Sequence, residues 1–132
     1  MKGTKPHLIV DNSGVKRAPA APSWLSDEAK AEWRRVVPVL VQRQILTVAD
    51  LGGLENYCIA IGLVRQMEAK IQIEGAVIDS GNGARKNPAV AIQADAINRA
   101  RLLAAELGLT PVSRSRPSIR TEEDNGDSDL GF

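Results

Sequence analysis

Apolar residues recur at three- and four-residue steps in three stretches of the chain, and this period predicts three α-helices. The first helix is expected to begin after Ser26, a good N-cap, with an acidic first turn that favours the helix dipole. Pro38 removes a backbone donor inside this helix, which predicts either a kink or an end near Val37 with a loose continuation to about Arg43. The apolar stripe consists of Ala29, Trp33, Val36, Val37 and Leu40.

The second apolar pattern is the longest and predicts a central helix from Thr47 to Glu74, about 40 Å in length. Thr47 and Asp50 have the spacing of a capping box, with Asp in place of Glu, and Gly75 is expected to end the helix. The periodic positions are Leu51, Leu54, Tyr57, Cys58, Ile61, Val64, Met67 and Ile71.

Three glycines, Gly52, Gly53 and Gly62, lie inside this central helix. Each costs about 1 kcal/mol relative to Ala, but a glycine also allows another backbone to approach closely. A helix longer than a small domain is wide often packs against copies of itself, so we expect the chain to form an oligomer.

Two short runs, residues 76–79 and 84–86, flank Ser80-Gly81-Asn82-Gly83, which is the pattern of a β-hairpin. An isolated hairpin is marginally stable, so this one is expected to lean on the helices. The predicted fold is therefore all-α, with three main helices, one of them long and central, and a small hairpin between the second and third.

The third helix is expected to begin after Asn87, with Pro88 at its first position, where the missing donor costs nothing. Gly108 fits a left-handed stop, and Pro111 prevents continuation. The predicted inner face consists of Val90, Ala94, Ile97, Ala100, Leu103, Ala104 and Leu107.

Charge is distributed unevenly along the 132 residues, although the formal net charge is only +1. Residues 1–23 carry a net charge of +3, residues 24–112 are neutral, and residues 113–132 carry a net charge of −2. This pattern predicts a flexible basic N-terminal arm and a flexible C-terminal tail that is basic and then acidic, on either side of a neutral helical core.

Catalytic residues are not apparent in the sequence. The single histidine, His7, lies in the arm, and Cys58 falls on the apolar face of a helix, where a thiol is usually inert. The glycine-rich segment 80–86 lacks the Gly-Lys-Ser/Thr ending of a phosphate-binding loop. We therefore expect no enzyme activity, no cofactor and no metal site. An apolar run long enough to cross a membrane is also lacking, so we expect a location in the cytoplasm.

Basic residues are the best candidates for a functional site, because a set of them with two basic arms favours binding to a polyanion. Each taken alone is more simply an ordinary charge facing solvent. The candidates for DNA phosphate contacts are Arg34, Arg35, Arg43, Arg85, Lys86, Lys16, Arg17, Arg114 and Arg116.

The acidic segment from Glu122 to Asp129 has two interpretations. It is either a solubilising end of the chain, or a segment that docks on a basic surface or competes with DNA for the basic residues nearby.

An ordered set of short motifs over about residues 5–116 resembles the small terminase subunits of cos-type tailed double-stranded-DNA phages. The motifs are Pro22-Xaa-Trp24-Leu25-Ser26-Xaa-Glu28-Ala29, Trp33 with Leu40, Leu46-Thr47-Xaa-Xaa-Asp50 with Leu54, Tyr57-Cys58, Gly75, Asn87-Pro88-Ala89 and Leu107-Gly108-Leu109-Thr110-Pro111-Xaa-Ser113-Arg114. The resemblance implies a non-catalytic DNA-packaging factor of the host cytoplasm. Such subunits assemble into homo-oligomeric rings, bind phage DNA and regulate the large terminase subunit, which carries the ATPase and the nuclease.

Two other hypotheses remain open from the residues alone. A small helical adaptor with disordered arms would bind only protein and would show no salt-dependent DNA affinity. A small enzyme would need a partner chain to complete its site.

Overall fold

A computed structural model describes residues 14–111 and gives three helices and one two-stranded antiparallel sheet. In chain order they are α1 (Asp27–Gln42), a short 3₁₀ turn (Val48–Asp50), α2 (Leu51–Glu74), β1 (Val77–Asp79), β2 (Ala84–Lys86) and α3 (Pro88–Glu106). The predicted fold class is confirmed. His7, Arg114, Arg116 and the acidic tail lie outside the described residues.

Helix α1 begins as the sequence predicts, because the Ser26 hydroxyl accepts a hydrogen bond of 3.1 Å from the amide of Ala29. Of the two outcomes predicted at Pro38, a kink or an end near Val37, the end is wrong, because α1 runs through Pro38 to Gln42. Pro38 is exposed, so the ring replaces a solvent-facing donor and leaves the buried side of the helix intact.

The Thr47–Asp50 capping interaction is confirmed at the start of the second helical segment. The Asp50 carboxylate accepts hydrogen bonds of 2.9 Å from both the amide and the hydroxyl of Thr47. The first turn is a 3₁₀ turn, and α2 then continues unbroken for 24 residues to Glu74. Gly75 ends it with a φ of 93°, a conformation that strongly favours glycine.

The hairpin pairs Val77 with Lys86 and Asp79 with Ala84, as the Gly/Asn-rich segment predicts. The side chain of Asn87 connects the base of the hairpin to helices α2 and α3. The buried Asn87 amide donates to Glu74 and to the carbonyl of Gly75, while its oxygen caps α3 by accepting from the amide of Ala89.

Helix α3 ends in a Schellman motif, with Gly108 at a φ of 77° and the amide of Leu109 donating to the carbonyl of Ala104. The predicted inner face is wrong for Ala94 and Ile97, which are exposed. Alanines of α3 make the closest contact with α2 instead. The buried face of α3 is therefore narrow, and larger apolar side chains of this helix stay exposed. The buried positions are Ala89, Ala96 and Ala100.

The core lies where α1 packs on α2, and it consists of aliphatic side chains around Trp33 and Tyr57. Gly62 allows the two helices to approach closely, as the glycines in the sequence suggest. A Cβ atom placed on Gly62 would lie 2.9 Å from the backbone nitrogen of Ala29 and 3.2 Å from its Cα. The backbones therefore touch at this point.

We expect Gly62→Ala to lower the free energy of unfolding by about 1–3 kcal/mol, because the added methyl group forces two packed backbones apart. Gly52→Ala is the matched control in the same helix, since nothing lies within 4 Å of its Cβ position. The control should raise stability by about 0.5–1 kcal/mol. Urea denaturation of both variants measures the difference, and equal effects would contradict the close approach.

Candidate nucleic-acid interface

A fully buried carboxylate, Glu32, lies at the contact between α1 and α2. Its two oxygens accept hydrogen bonds from Tyr57 Oη at 2.6 Å, Arg65 Nη2 at 3.0 Å and Arg35 Nε at 2.9 Å, and the Arg35 Nη2 atom completes a bidentate pair. An acidic residue of a helix more often faces solvent, but this one is buried between two helices. Position 32 belongs to the same face as Ala29, Trp33 and Val36, and this spacing could have indicated its burial.

Burial by itself would raise the pKa of Glu32, but the hydrogen bonds from Arg35 and Tyr57 and the charges of Arg35 and Arg65 outweigh it and lower the pKa. The same network raises the pKa of Tyr57 through burial and the hydrogen bond to Glu32. The carboxylate therefore stays ionised in the folded protein, and both arginines are held by it.

Arg35 consequently differs from the other predicted phosphate contacts, although 63% of its side chain is exposed. Within residues 14–111, the cations that pair with a carboxylate are Arg35, Arg65, Lys70 and Arg99. The cations with no carboxylate partner inside that range are Lys16, Arg17, Lys30, Arg34, Arg43, Arg85, Lys86 and Arg101.

The described part of the N-terminal arm, residues 14–23, runs along α1. The amide of Val15 donates to the carbonyl of Leu46 at 2.9 Å, beyond the end of α1, and the indole of Trp33 donates to the carbonyl of Pro19 at 2.8 Å. The arm is therefore antiparallel to α1, and the part of it that contains Lys16 and Arg17 lies alongside this helix.

An open groove of about 560 Å³ separates the arm from α1. Lys30 and Arg34 line it, and their four-residue spacing places them on one face of the helix. We call Lys16, Arg17, Lys30 and Arg34 the basic patch. Lys30 was not among the residues predicted from sequence. Only the groove distinguishes it from the other lysines, and no local pattern in the sequence indicates it.

The remaining predicted cations lie elsewhere. Arg43 follows Arg34 by nine residues, which at 3.6 residues per turn is the opposite side of α1. Arg85 and Lys86 are exposed on β2, and no hydrogen bond or ion pair among residues 14–111 joins the hairpin to α1. The predicted cations within residues 14–111 therefore fall into four groups. These are the patch residues Lys16, Arg17 and Arg34, the Glu32-bound Arg35, Arg43 by itself, and the hairpin pair Arg85 and Lys86.

A second groove, of about 540 Å³, lies between α2 and α3. Ile59 and Leu102 line it and are exposed by 42% and 56%, and Leu63 and Leu103 lie beside them. Ile92 and Ile97 are also exposed on α3. This apolar surface results from the narrow alanine stripe by which α3 packs.

Reactive groups are few in residues 14–111. Burial raises the pKa of Cys58 to about 12, so its thiol is protonated at neutral pH. The described residues contain no group of three or more side chains placed to hold a metal ion. None of the helices between residues 14 and 111 is long and apolar enough to span a bilayer.

We expect Glu32→Gln to reduce the free energy of unfolding by about 1–3 kcal/mol at pH 7, because two charge-assisted interactions are weakened in a buried site. A carboxylate with a lowered pKa contributes stability above its unfolded pKa of about 4.3, and that contribution is lost as the pH falls through the lower folded value. The variant should therefore lose less stability than the parent below about pH 4.3.

Glu55→Gln is the matched control for that experiment, because the side chain of Glu55 forms no hydrogen bond or ion pair with the other described residues. Denaturant titration between pH 3 and 7 should show a change within about 0.5 kcal/mol for the control. Parallel pH curves for the parent and Glu32→Gln would show that Glu32 is not the group that titrates.

Comparison with known proteins identifies the family of the chain. The sequence profile of the family described as phage terminase, small subunit, matches residues 29–124, which is more than half of the chain. No curated protein and no solved structure matches it. The match covers nearly all of α1 and the whole of α2, the hairpin and α3. These elements carry the buried Glu32 network and two of the four patch residues, Lys30 and Arg34. The chain therefore belongs to the phage terminase small subunit family.

Proposed function

We propose that this protein is a non-catalytic DNA-packaging subunit that binds phage DNA as a homo-oligomeric ring and regulates the large terminase subunit. The family supports the packaging role, and its small subunits are generally non-catalytic. The observation that carries the DNA-binding part is the basic patch, four cations on α1 and on the arm beside it that have no carboxylate partner among the described residues.

Binding through the patch would be mostly electrostatic. Lysine and arginine side chains contact phosphates without reading bases, and counterion release makes such binding sensitive to salt. Arg43, Arg85 and Lys86 are additional candidates on other surfaces, and Arg114 and Arg116 would add attraction from the tail. We assign Arg35 a structural role, because the buried Glu32 holds its guanidinium.

Assembly is the second part of the proposal, and the apolar groove between α2 and α3 supports it. Exposed Ile59 and Leu102 would gain a contact with another subunit, and burial of apolar surface drives association. A ring would repeat each weak basic patch, and repetition raises the total affinity for one DNA molecule without a new contact.

The domain arrangement follows from these roles. Residues 1–23 and 113–132 would act as arms around a helical core of residues 24–112, and the protein would work in the host cytoplasm. The alternative is a protein-binding adaptor with no affinity for DNA, which a direct binding measurement separates from the first proposal.

We expect duplex DNA to bind the full chain with an affinity that falls steeply with salt. Replacing Lys16 and Arg17 by Ala should reduce the slope of log K against log salt by about 2, because two phosphate contacts are lost per bound subunit. Fluorescence anisotropy with a labelled duplex between 50 and 200 mM salt measures this slope.

The matched control replaces Lys70 and Arg101 by Ala, which removes the same charge from exposed positions outside the patch. The pair Arg85→Ala and Lys86→Ala tests the hairpin in the same way. If the slope falls equally in the patch and control variants, the change reflects the net charge of the protein and not a contact at the patch. If the unmodified chain does not bind duplex DNA at 50 mM salt, the result would favour the alternative of a protein-binding adaptor.

We expect Leu102→Glu to disrupt assembly, because a charge would be buried in the contact made by the apolar groove. Val48→Glu is the control, since Val48 is 61% exposed and does not line the groove. Light scattering coupled to size exclusion should show smaller particles for Leu102→Glu alone, with an unchanged helical circular dichroism spectrum. A monomeric parent at micromolar concentration would contradict the ring.

A further inference from the structure

The groove between the arm and α1 has a composition that suits an acidic, partly apolar peptide segment. Its cations are Lys30 and Arg34, and its walls include Pro19, Ala20, Trp33 and Pro38. None of the residues that line it is acidic. A ligand in this groove would therefore meet two positive charges beside an apolar surface.

The chain itself contains a segment of matching chemistry. Residues 122–129 carry five acidic side chains and no basic one, and Leu130 and Phe132 follow directly. The charge of this segment is opposite to that of the groove, and its two apolar residues match the proline, alanine and tryptophan surface.

The position at which the described chain ends allows this segment to reach the groove. A Cβ atom on Gly108 would lie 3.1 Å from Ile45 Cδ1, so the end of α3 lies beside the residues that follow α1. The rise of an α-helix places Arg34 about 12 Å from Gln42, the last residue of α1, and Ile45 follows three residues later. The eleven residues from Pro111 to Glu122 span up to about 36 Å when extended, more than the distance from Ile45 to Arg34.

We propose that the acidic segment 122–129 docks in the arm–α1 groove of its own chain, against Lys30 and Arg34, and competes with DNA for the basic patch. The docking stands on the groove and the segment alone. The competition rests on the proposed function, because it requires that the patch binds DNA.

The expected interaction is weak, which suits a reversible competitor. Exposed ion pairs contribute little individually, but a tethered segment has an effective concentration in the millimolar range. Half-occupancy of the groove needs only a millimolar dissociation constant. A long polyanion bound across several subunits would displace such a segment, and the tail would then chiefly suppress weak binding to short or incorrect DNA.

Zero-length carbodiimide cross-linking of the full chain, followed by peptide mass spectrometry, tests the docking without DNA. We expect amide links between Lys30 and the carboxylates of residues 122–129, and fewer links to Lys86, an exposed lysine on the hairpin. Arg34→Ala should reduce the Lys30 links at least about threefold. Arg43→Ala, on the opposite side of α1, should leave them unchanged.

Mixing isotopically light and heavy chains before cross-linking shows whether both linked residues come from one chain. Links between light and heavy chains would overturn the assignment to the same chain. Equal linking to Lys30 and Lys86, or none to Lys30, would overturn the docking site.

The competition is tested by replacing Glu122, Glu123, Asp124, Asp127 and Asp129 with their amides in the full chain. Duplex affinity at 100 mM salt should rise at least about twofold, because a half-occupied groove leaves only half of the patches open to DNA. The same replacement in a Lys30→Ala, Arg34→Ala background should have no effect. An equal rise in both backgrounds would indicate general charge repulsion and overturn the competition.

The two failures are distinguishable. If neither form of the tail supports duplex binding, the proposed function fails, while the Lys30 cross-links still decide the docking. If duplex binding is strong but unaffected by the tail, the proposed function stands and the competition is wrong.

Discussion

The buried carboxylate of Glu32 is the interaction on which the arrangement of α1 and α2 depends. A buried charge destabilises a fold unless donors satisfy it, and here two of the donors, Tyr57 and Arg65, come from the facing helix. The helices can therefore pack in one register only. Gly62 permits that register because it lets the α2 backbone reach Ala29, one turn before Glu32.

The same register determines where the free charges lie. Arg35 and Arg65 are committed to Glu32, whereas Lys30 and Arg34 lie on a neighbouring face of α1 and are left without carboxylate partners among residues 14–111. Trp33 then fixes the course of the arm through its hydrogen bond to Pro19, so that Lys16 and Arg17 lie beside the same helix. One buried acid thus divides the arginines of this region into structural and available ones.

The proposed roles use different parts of the fold. DNA binding is assigned to the arm and α1, and assembly to the groove between α2 and α3. Each individual interaction is weak, since surface charges are screened and the apolar groove is small. Repetition of these interactions in a ring would raise the total affinity for DNA. A weakly bound acidic tail that competes for the same cations would lower that affinity.

Periodicity and capping residues determined the secondary structure of this protein. Ser26, Thr47 with Asp50, Gly75, Asn87 and Gly108 set helix ends through local backbone chemistry, and the structure places each where the sequence predicts. The local rule that proline ends a helix failed at Pro38. A proline on the solvent-facing side of a helix destabilises the helix less than the loss of its backbone donor suggests.

Only the tertiary structure decided how the buried charge is satisfied and which cations are free. The spacing of Glu32 within the apolar stripe of α1 indicates burial, but its partners Tyr57 and Arg65 lie 25 and 33 residues away. Lys30 became a candidate because the arm folds back along α1. Ile97 was left outside because alanines of α3 fit closer to α2. Contacts between side chains of different helices depend on distances in three dimensions. The periodicity of residues along one helix carries no information about those distances.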